Sequence, residues 1–291
     1  MEINNVLQNS FEKWLNTLGY AESTVYASTN YVRDFFFYLK SFELTNLEQI
    51  NTVTINSYYK YLQTRSNKRQ TGSLSNNYIT SNINALKRFS RYLQETGKPF
   101  FEVSIKTNPN KETAKTILTL AEIKALYKAC ENDYLGIRDR AILSIFYGCG
   151  LRRSEGQALN VNDILLKEKR VFVRKGKNYR ERYVPMAESV KEDLENYIYI
   201  SREKILSFKN IKSDGLFLGM QVNSMCGNAL ICRVQQLSIK AKINKTIGLH
   251  TLRHSIATHL LQSGMKLEEV SQFLGHVSLE STQIYTHLVN E

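Results

Sequence analysis

The chain has 291 residues and a formal net charge of +12, and this length is enough for two domains with hydrophobic cores. The excess of Lys and Arg favours a polyanionic partner such as DNA, because neutralising phosphates releases counterions. The four cysteines form no C-x-x-C pair and we find no signal peptide, so we expect free thiols in a reducing cytoplasm. The longest apolar stretch, residues 141–151, is too short to span a bilayer, so we expect no membrane partner.

The N-terminal part predicts a bundle of about four helices, because apolar and aromatic residues recur there at helical spacing. The helices are predicted to begin near Val6, Thr54 and Ser75, and Ser23 is predicted to be the N-cap of a further helix. We interpret the aromatic stripes as core residues rather than as surfaces that stack on bases.

Basic side chains between these stripes are candidates for contacts with the backbone of a DNA duplex. Solvated helix faces explain the same charges equally well from the residues alone. The candidates are Arg65, Lys68, Arg69, Lys87, Arg88 and Arg91.

Residues 104–116 are predicted to form a linker, since they are polar and basic, lack periodicity and contain Pro109. The predicted organisation is therefore an N-terminal helical domain at 1–103 and a second domain at 117–291.

The segment Y-G-C-G-L-R-R-S-E follows an apolar helix predicted at residues 140–146. Its glycines, Gly148 and Gly150, end that helix and present Arg152 at the start of the next element. Taken alone, an ordinary helix–glycine–helix junction with Arg152 and Arg153 in solvent is the simpler interpretation.

A hairpin is predicted next, because residues 170–174 and 180–186 alternate like strands around a turn at 176–179. Lys177 lies at this turn. Most hairpin lysines are solvated, but one that swings over a scissile phosphate makes a good general acid for a leaving 5′ oxygen.

Residues 248–255 read G-L-H-T-L-R-H-S, with His250 and Arg253 three positions apart in a segment of helical periodicity. Both side chains are therefore predicted on one face near a helix N-terminus. The fork of donors on Arg and the free amides of a helix start both favour a phosphate. By itself, however, this pair is more often a solvated helix face.

The continuation strengthens the case for a phosphate site. Residues 265–274 predict a short amphipathic helix closed by Gly275, and His276 follows in the turn. Ser278 is a candidate N-cap of a last helix that carries Tyr285, nine residues after His276.

These motifs together resemble the tyrosine recombinases, the family of phage and transposon integrases and Xer-type resolvases. The matching segments, in family order, are G-L-R-R-S-E at 150–155, G-K-N-Y-R-E-R-Y-V-P at 176–185, H-T-L-R at 250–253, L-G-H at 274–276 and T-Q-I-Y at 282–285.

The resemblance implies a fold that is mainly α-helical with a small antiparallel β-sheet. A helical core-binding domain and an α/β catalytic domain would form a clamp around DNA. The implied site consists of Arg152, Arg253, His250 and His276 on the phosphate, Lys177 as general acid, Tyr285 as nucleophile and Glu155 as a supporting acid.

The implied reaction is attack of Tyr285 on a DNA phosphodiester, which leaves a 3′-phosphotyrosine link and a free 5′-hydroxyl. Bond energy is retained, so strand exchange needs no ATP. The sequence contains no G-x-x-x-x-G-K-[ST] motif and no clustered carboxylates of the kind that hold paired magnesium ions. We therefore expect no cofactor and no metal.

The expected function is a site-specific recombinase that integrates or excises a mobile element. Alternatives are an Xer-type dimer resolvase or DNA invertase, a type IB topoisomerase, and a non-catalytic DNA-binding regulator with the same fold. Expected partners are double-stranded DNA with specific recombination sites, three further copies in a homotetramer on paired sites, and accessory DNA-bending proteins. The expected location is the bacterial cytoplasm, at the nucleoid when DNA is bound.

Two details of the C-terminal part lead to further expectations. Lys175 is an alternative to Lys177 as general acid. We favour Lys177, because the segment from Lys177 to Pro185 matches the motif of the tyrosine recombinases without a gap. Only residues 286–291 follow Tyr285. Burying their two apolar side chains, Leu288 and Val289, against a neighbouring subunit would contribute at most about 3 to 6 kcal/mol before ordering costs. We therefore expect a monomer in the absence of DNA.

Overall fold

A computed structural model of the chain forms two compact units, Met1–Thr113 and Ala114–Glu291. Side chains are described from residue 5 onward. The structure describes residues 2–44, 46–67, 71–107, 116–174, 181–209, 212–275 and 282.

The described part of the N-terminal unit contains four α-helices, which confirms the predicted bundle. Asn51 and Ser75 cap α3 and α4 through their side chains. The predicted cap at Ser23 is wrong, because α2 already begins at Glu22 and its N-cap is Ala21. The helices are α1 (Glu2–Thr17), α2 (Glu22–Lys40), α3 (Thr52–Thr64) and α4 (Asn76–Glu95).

Aromatic rings fill the core of this unit. Phe35 and Tyr58 are fully buried with ring centroids 4.9 Å apart, and Phe89 packs edge-on against Phe11 at 5.2 Å. Such pairs add to the free energy gained by burying their apolar area. The interpretation of the aromatic stripes as core is therefore confirmed for these residues.

Ile105 is buried in the same core, and its carbonyl oxygen accepts a hydrogen bond from Nζ of Lys87 at 3.2 Å. The second residue of the predicted linker, 104–116, thus packs on the N-terminal unit. Residues 108–115 lie outside the described residues, and the linker and the domain bounds stay predictions.

The C-terminal unit is also mainly helical. Two of its helices, α6 and α8, continue as π-helical turns at residues 144–148 and 197–202. Its described helices are α5 (Leu120–Lys128), α6 (Tyr134–Leu143), α7 (Arg153–Gln157), α8 (Glu188–Asn196), α9 (Glu203–Ser207), α10 (Gly227–Lys240), α11 (Leu249–Gln262) and α12 (Leu267–Leu274).

A three-stranded antiparallel sheet lies between α7 and α8 in the sequence, which confirms the small antiparallel sheet that the resemblance implies. Its strands are β1 (Ile164–Leu165), β2 (Arg170–Val173) and β3 (Arg182–Pro185), in the order β1-β2-β3. Val173 pairs with Arg182 at the end that leads to the predicted turn. Val184 is fully buried, so one face of β3 points into the core.

Helix α11 is held in the middle of the C-terminal unit. Leu252 belongs to its main core, and Ser255 accepts a hydrogen bond from the backbone N–H of Leu118 at 2.9 Å. Val270 and Leu274 pack α12 on α11 in a smaller cluster. None of the described helices is long and apolar enough to cross a membrane.

Candidate active site

The carboxylate of Glu155 is the centre of a cluster of arginines in the C-terminal unit. Glu155 is the third residue of α7, and its side chain is only 1% exposed. Its Oε2 accepts the backbone N–H of Arg152 at 2.8 Å, and its Oε1 accepts Nη1 of Arg152 at 2.8 Å. A carboxylate that reaches back to the helix start satisfies an amide that the helix itself cannot. The local sequence R-R-S-E thereby fixes the backbone and the guanidinium of Arg152 together.

Arg182, at the start of β3, completes the cluster from the sheet. Its Nη1 and Nη2 donate to Oε1 and Oε2 of Glu155 at 2.9 and 3.0 Å. Burial would raise the pKa of Glu155, but the bonds and charge of Arg182, followed by those of Arg152, lower this pKa to about 2. Glu155 is therefore ionised at neutral pH.

Arg253 lies one turn into α11 and is buried, with 3% of its surface exposed. It donates from Nη1 to the carbonyl oxygen of Gly150 and from Nη2 to that of Leu274, the latter at 2.8 Å. Its Nη1 is also 4.0 Å from Oε2 of Glu155. The guanidinium thus touches both the start of the G-L-R-R segment and the end of α12.

Arg152 reaches the same end of α12, where its Nη2 donates to the carbonyl oxygen of Gly275 at 2.9 Å. The last carbonyls of a helix lack partners within the helix, which makes them natural acceptors for these two arginines. Gly275 has φ +64° and closes the helix in the left-handed conformation, as the sequence predicted. Two motifs far apart in the sequence therefore meet directly before His276.

His250, in the first turn of α11, is exposed. Its pKa is lowered by partial burial and then by the charges of Arg253, Arg153 and Arg152. The imidazole therefore lies within the field of the arginine cluster, which favours its neutral form. The environments of His250 and Arg253 differ more than the predicted shared face implied, because Arg253 turns inward to reach carbonyl groups.

The structure brings together four of the predicted site residues, Arg152, Glu155, His250 and Arg253. The remaining ones lie outside the described residues: Lys177, His276 and Tyr285.

Of the predicted DNA contacts in the N-terminal unit, Lys68 and Arg69 also lie outside the described residues. Arg91 is exposed, and its Nε lies 2.7 Å from Oε1 of Glu95. Arg91 follows Lys87 by one helical turn. Arg88 lies over the ring of Tyr20, with 5.7 Å to its centroid, and Arg65 lies over that of Tyr61 at 5.9 Å. Lys87 and Arg91 are thus the exposed cations of α4.

Arg182 is the site residue that the sequence analysis missed. A signal was present, because residues of a strand alternate between two faces. Arg182 shares the inward face of β3 with Val184, and a charged residue on an inward face needs a buried partner.

Comparison with known proteins identifies close matches. The family model described as phage integrase family matches residues 116–291. Tyrosine recombinase XerC of Oceanobacillus iheyensis is 34% identical over 219 residues, which cover 72% of this chain and 69% of that protein.

Solved structures share the fold. The XerH site-specific recombinase bound to difH substrate before cleavage has a TM-score of 0.71 at 22% identity, covering 98% of this chain and 82% of that one. A lambda integrase tetramer bound to a Holliday junction has a TM-score of 0.69 at 15% identity, covering 96% and 76%.

Proposed function

Because the chain belongs to the phage integrase family and is a tyrosine site-specific recombinase, we propose that Arg152 and Arg253 bind the scissile phosphate of its DNA substrate. The observation that supports this proposal is their convergence on Glu155 and on the end of α12. A pentavalent phosphorane spreads negative charge over its non-bridging oxygens, and preorganised guanidinium groups stabilise that charge without moving. His250, next to these cations, would add a further contact to the phosphate.

The proposed reaction begins with Tyr285, whose Oη attacks the phosphorus while the bond to the 5′ oxygen breaks. His276 accepts the proton of the tyrosine, and Lys177 donates a proton to the leaving 5′ oxygen. The products are a 3′-phosphotyrosine link and a free 5′-hydroxyl. The 5′-hydroxyl of a partner strand then attacks the same phosphorus and releases Tyr285.

Assistance to the nucleophile is necessary because a free tyrosine has a pKa of about 10 and is mostly protonated at neutral pH. Placement of its oxygen beside the arginine cluster would favour the phenolate, since positive charge stabilises the charged form. The cluster contains three guanidinium groups, those of Arg152, Arg182 and Arg253, around one carboxylate. It therefore retains net positive charge for both the phosphate and the tyrosine.

The proposed partners are double-stranded DNA with specific recombination sites and three further copies of this chain, as a homotetramer on paired sites. The tetramer of lambda integrase on a Holliday junction supports this stoichiometry. In the N-terminal unit, Lys87 and Arg91 are proposed to contact phosphates. Accessory DNA-bending proteins and a location at the bacterial nucleoid stay predictions.

Integration or excision of a mobile element is the first proposed role. The similarity to a tyrosine recombinase named XerC favours a second candidate, Xer-type recombination. Sequencing the DNA that becomes covalently attached to the protein in cells distinguishes them. Attachment at the ends of a mobile element supports integration, whereas attachment at one fixed chromosomal site supports the Xer-type role.

The chemistry is tested with a suicide substrate, a duplex nicked next to the cleavage site so that the covalent adduct accumulates. We expect wild-type protein to form an adduct that survives a denaturing gel, and Tyr285→Phe to bind the DNA without forming it. Tyr199→Phe is the matched control, because Tyr199 is 63% exposed in the same unit and should form the adduct normally. An adduct from Tyr285→Phe would remove Tyr285 from its proposed role.

A further inference from the structure

Arg182 contacts both Glu155 and Gly275, the two residues to which Arg152 also donates hydrogen bonds. On one side its guanidinium faces Glu155 with two parallel hydrogen bonds of 2.9 and 3.0 Å. On the other side it packs against Gly275, where an added Cβ would lie 2.5 Å from Nε of Arg182. Among the described residues, this Nε has no hydrogen-bond partner. Arg182 thus contacts the carboxylate and the residue that precedes His276.

The charges in this cluster show why a third arginine matters. A buried carboxylate such as Glu155 is costly unless it is paired, and it attracts any cation within reach. Arg182 occupies one side of both carboxylate oxygens. Arg152 makes one side-chain hydrogen bond to Glu155, at Oε1, and Nη1 of Arg253 lies 4.0 Å from Oε2.

Without Arg182, the carboxylate would lose two of its charge-assisted hydrogen bonds. The nearest replacements are the guanidinium groups of Arg152 and Arg253. Each would then form a tighter ion pair with Glu155, and its charge would be less available to a phosphate. Arginine suits this task because its planar fork matches both carboxylate oxygens at once, whereas lysine offers a point charge.

We propose that Arg182 is a positioning residue that neutralises Glu155 and thereby keeps Arg152 and Arg253 available to the scissile phosphate. This inference rests on the proposed function. It assigns to Arg182 no contact with DNA. Its effect on cleavage passes through the charge of Glu155, so removing that charge should make Arg182 less necessary.

The test compares single-turnover cleavage of the suicide substrate by four variants: Arg182→Met, Glu155→Gln, the double variant of both, and Arg233→Met. Arg233 is the matched control, because it also pairs with a buried carboxylate, Asp139, in the same unit. Its loss should lower stability and leave the cleavage rate near that of wild type. DNA affinity is measured in parallel by fluorescence anisotropy, and folding by thermal melting.

We expect Arg182→Met to bind DNA normally and to cleave about 100-fold more slowly, similar to the loss of one preorganised donor. Adding Glu155→Gln to this variant should restore cleavage by about tenfold, because the neutral amide no longer captures the two arginines. A role in folding alone predicts no such rescue. The inference is overturned when Arg182→Met cleaves like wild type, or when the double variant is no faster than Arg182→Met.

Arg182→Lys provides the answer if Arg182→Met does not fold. It keeps the charge and should stay within about tenfold of wild-type cleavage, whereas a loss as large as about 100-fold would contradict neutralisation as the role. A wild-type protein that forms no covalent adduct would count against the proposed function itself. Normal adduct formation by wild type without rescue by Glu155→Gln would count against Arg182 alone.

Discussion

Arg152 donates a hydrogen bond from Nη2 to the carbonyl oxygen of Gly275 across 2.9 Å. The other terminal nitrogen of the same guanidinium bonds to Glu155. One side chain therefore joins the first turn of α7 to the C-terminal end of α12. The direction of each bond is fixed by a planar group, so the position of Arg152 depends on both partners.

Arg152→Lys should reduce cleavage of the suicide substrate by about 100-fold or more, since an ammonium cannot hold Glu155, Gly275 and a phosphate in fixed directions. Arg153→Lys is the control. Arg153 is exposed and lies 3.4 Å from Oδ1 of Asn228, and lysine preserves its charge, so cleavage should stay near wild type. Wild-type rates for Arg152→Lys would exclude Arg152 from the site.

An element can be predicted from the sequence when the interaction that forms it leaves a repeated pattern of residues. Long helices with regular apolar spacing, such as α4 with its cap at Ser75, were predicted well because the pattern repeats over many residues. The predicted N-cap of α2, Ser23, lies inside the helix, because the observed N-cap, Ala21, provides no side-chain hydrogen bond that the sequence could indicate. Helix ends without capping side chains leave little trace in a sequence.

The candidate site was predicted from the resemblance of separated motifs rather than from local patterns. Periodicity cannot show that Arg152 and Gly275 touch, because the contact depends on how α7 and α12 pack. Likewise, alternation along the strand R-E-R-Y-V-P puts Arg182 on the same face as Val184, but it does not show which buried group Arg182 contacts. The partner is identified by the structure, where Glu155 is buried and accepts both hydrogen bonds of Arg182.

The stability of the protein should depend on pH through Glu155. Its pKa is lowered from 4.5 to about 2 in the folded state, so its contribution to stability is complete above its ordinary pKa. This contribution is lost as the pH falls from there towards 2. The shift corresponds to about 3 kcal/mol in total.

Urea unfolding of wild type and Glu155→Gln between pH 5 and pH 2 measures this contribution. The free energy of unfolding should fall by about 2 to 3 kcal/mol more in wild type than in the variant, which cannot titrate. Circular dichroism is the suitable probe. The single tryptophan, Trp14, lies in the N-terminal unit, so its fluorescence would not report on the unit that contains Glu155. Equal losses in both proteins would show that the pKa of Glu155 is not lowered.

The pKa of His250 should rise when a neighbouring positive charge is removed. Burial lowers this pKa most, followed by Arg253 and Arg153. Arg153→Gln removes one of these charges and leaves the Arg152–Glu155 contacts in place. An NMR titration of the imidazole C–H signals should show a higher pKa in the variant, whereas an unchanged value would place Arg153 too far away to act on His250.

The choice between Lys175 and Lys177 is tested with a DNA substrate that carries a 5′-bridging phosphorothiolate. A thiolate leaves without a proton, so this substrate needs no general acid. On ordinary DNA, Lys177→Ala should cleave about 100-fold or more slowly, and on the phosphorothiolate it should approach wild type. Lys175→Ala should cleave both substrates normally. The reverse pattern would transfer the role to Lys175.

Gly275→Ala should impair cleavage as well as stability. Gly275 has φ +64°, a conformation that destabilises an alanine by about 1 to 2 kcal/mol, and the new methyl group would collide with the guanidinium of Arg182. Gly264→Ala is a matched control, since Gly264 has φ +90° and no atom within 4 Å of the added methyl group. Thermal melting should show that both variants are destabilised. Only Gly275→Ala should slow single-turnover cleavage, by about tenfold or more, because only this substitution displaces the group that neutralises Glu155. Equal cleavage by the two variants would mean that backbone strain, rather than contact with Arg182, accounts for the glycine.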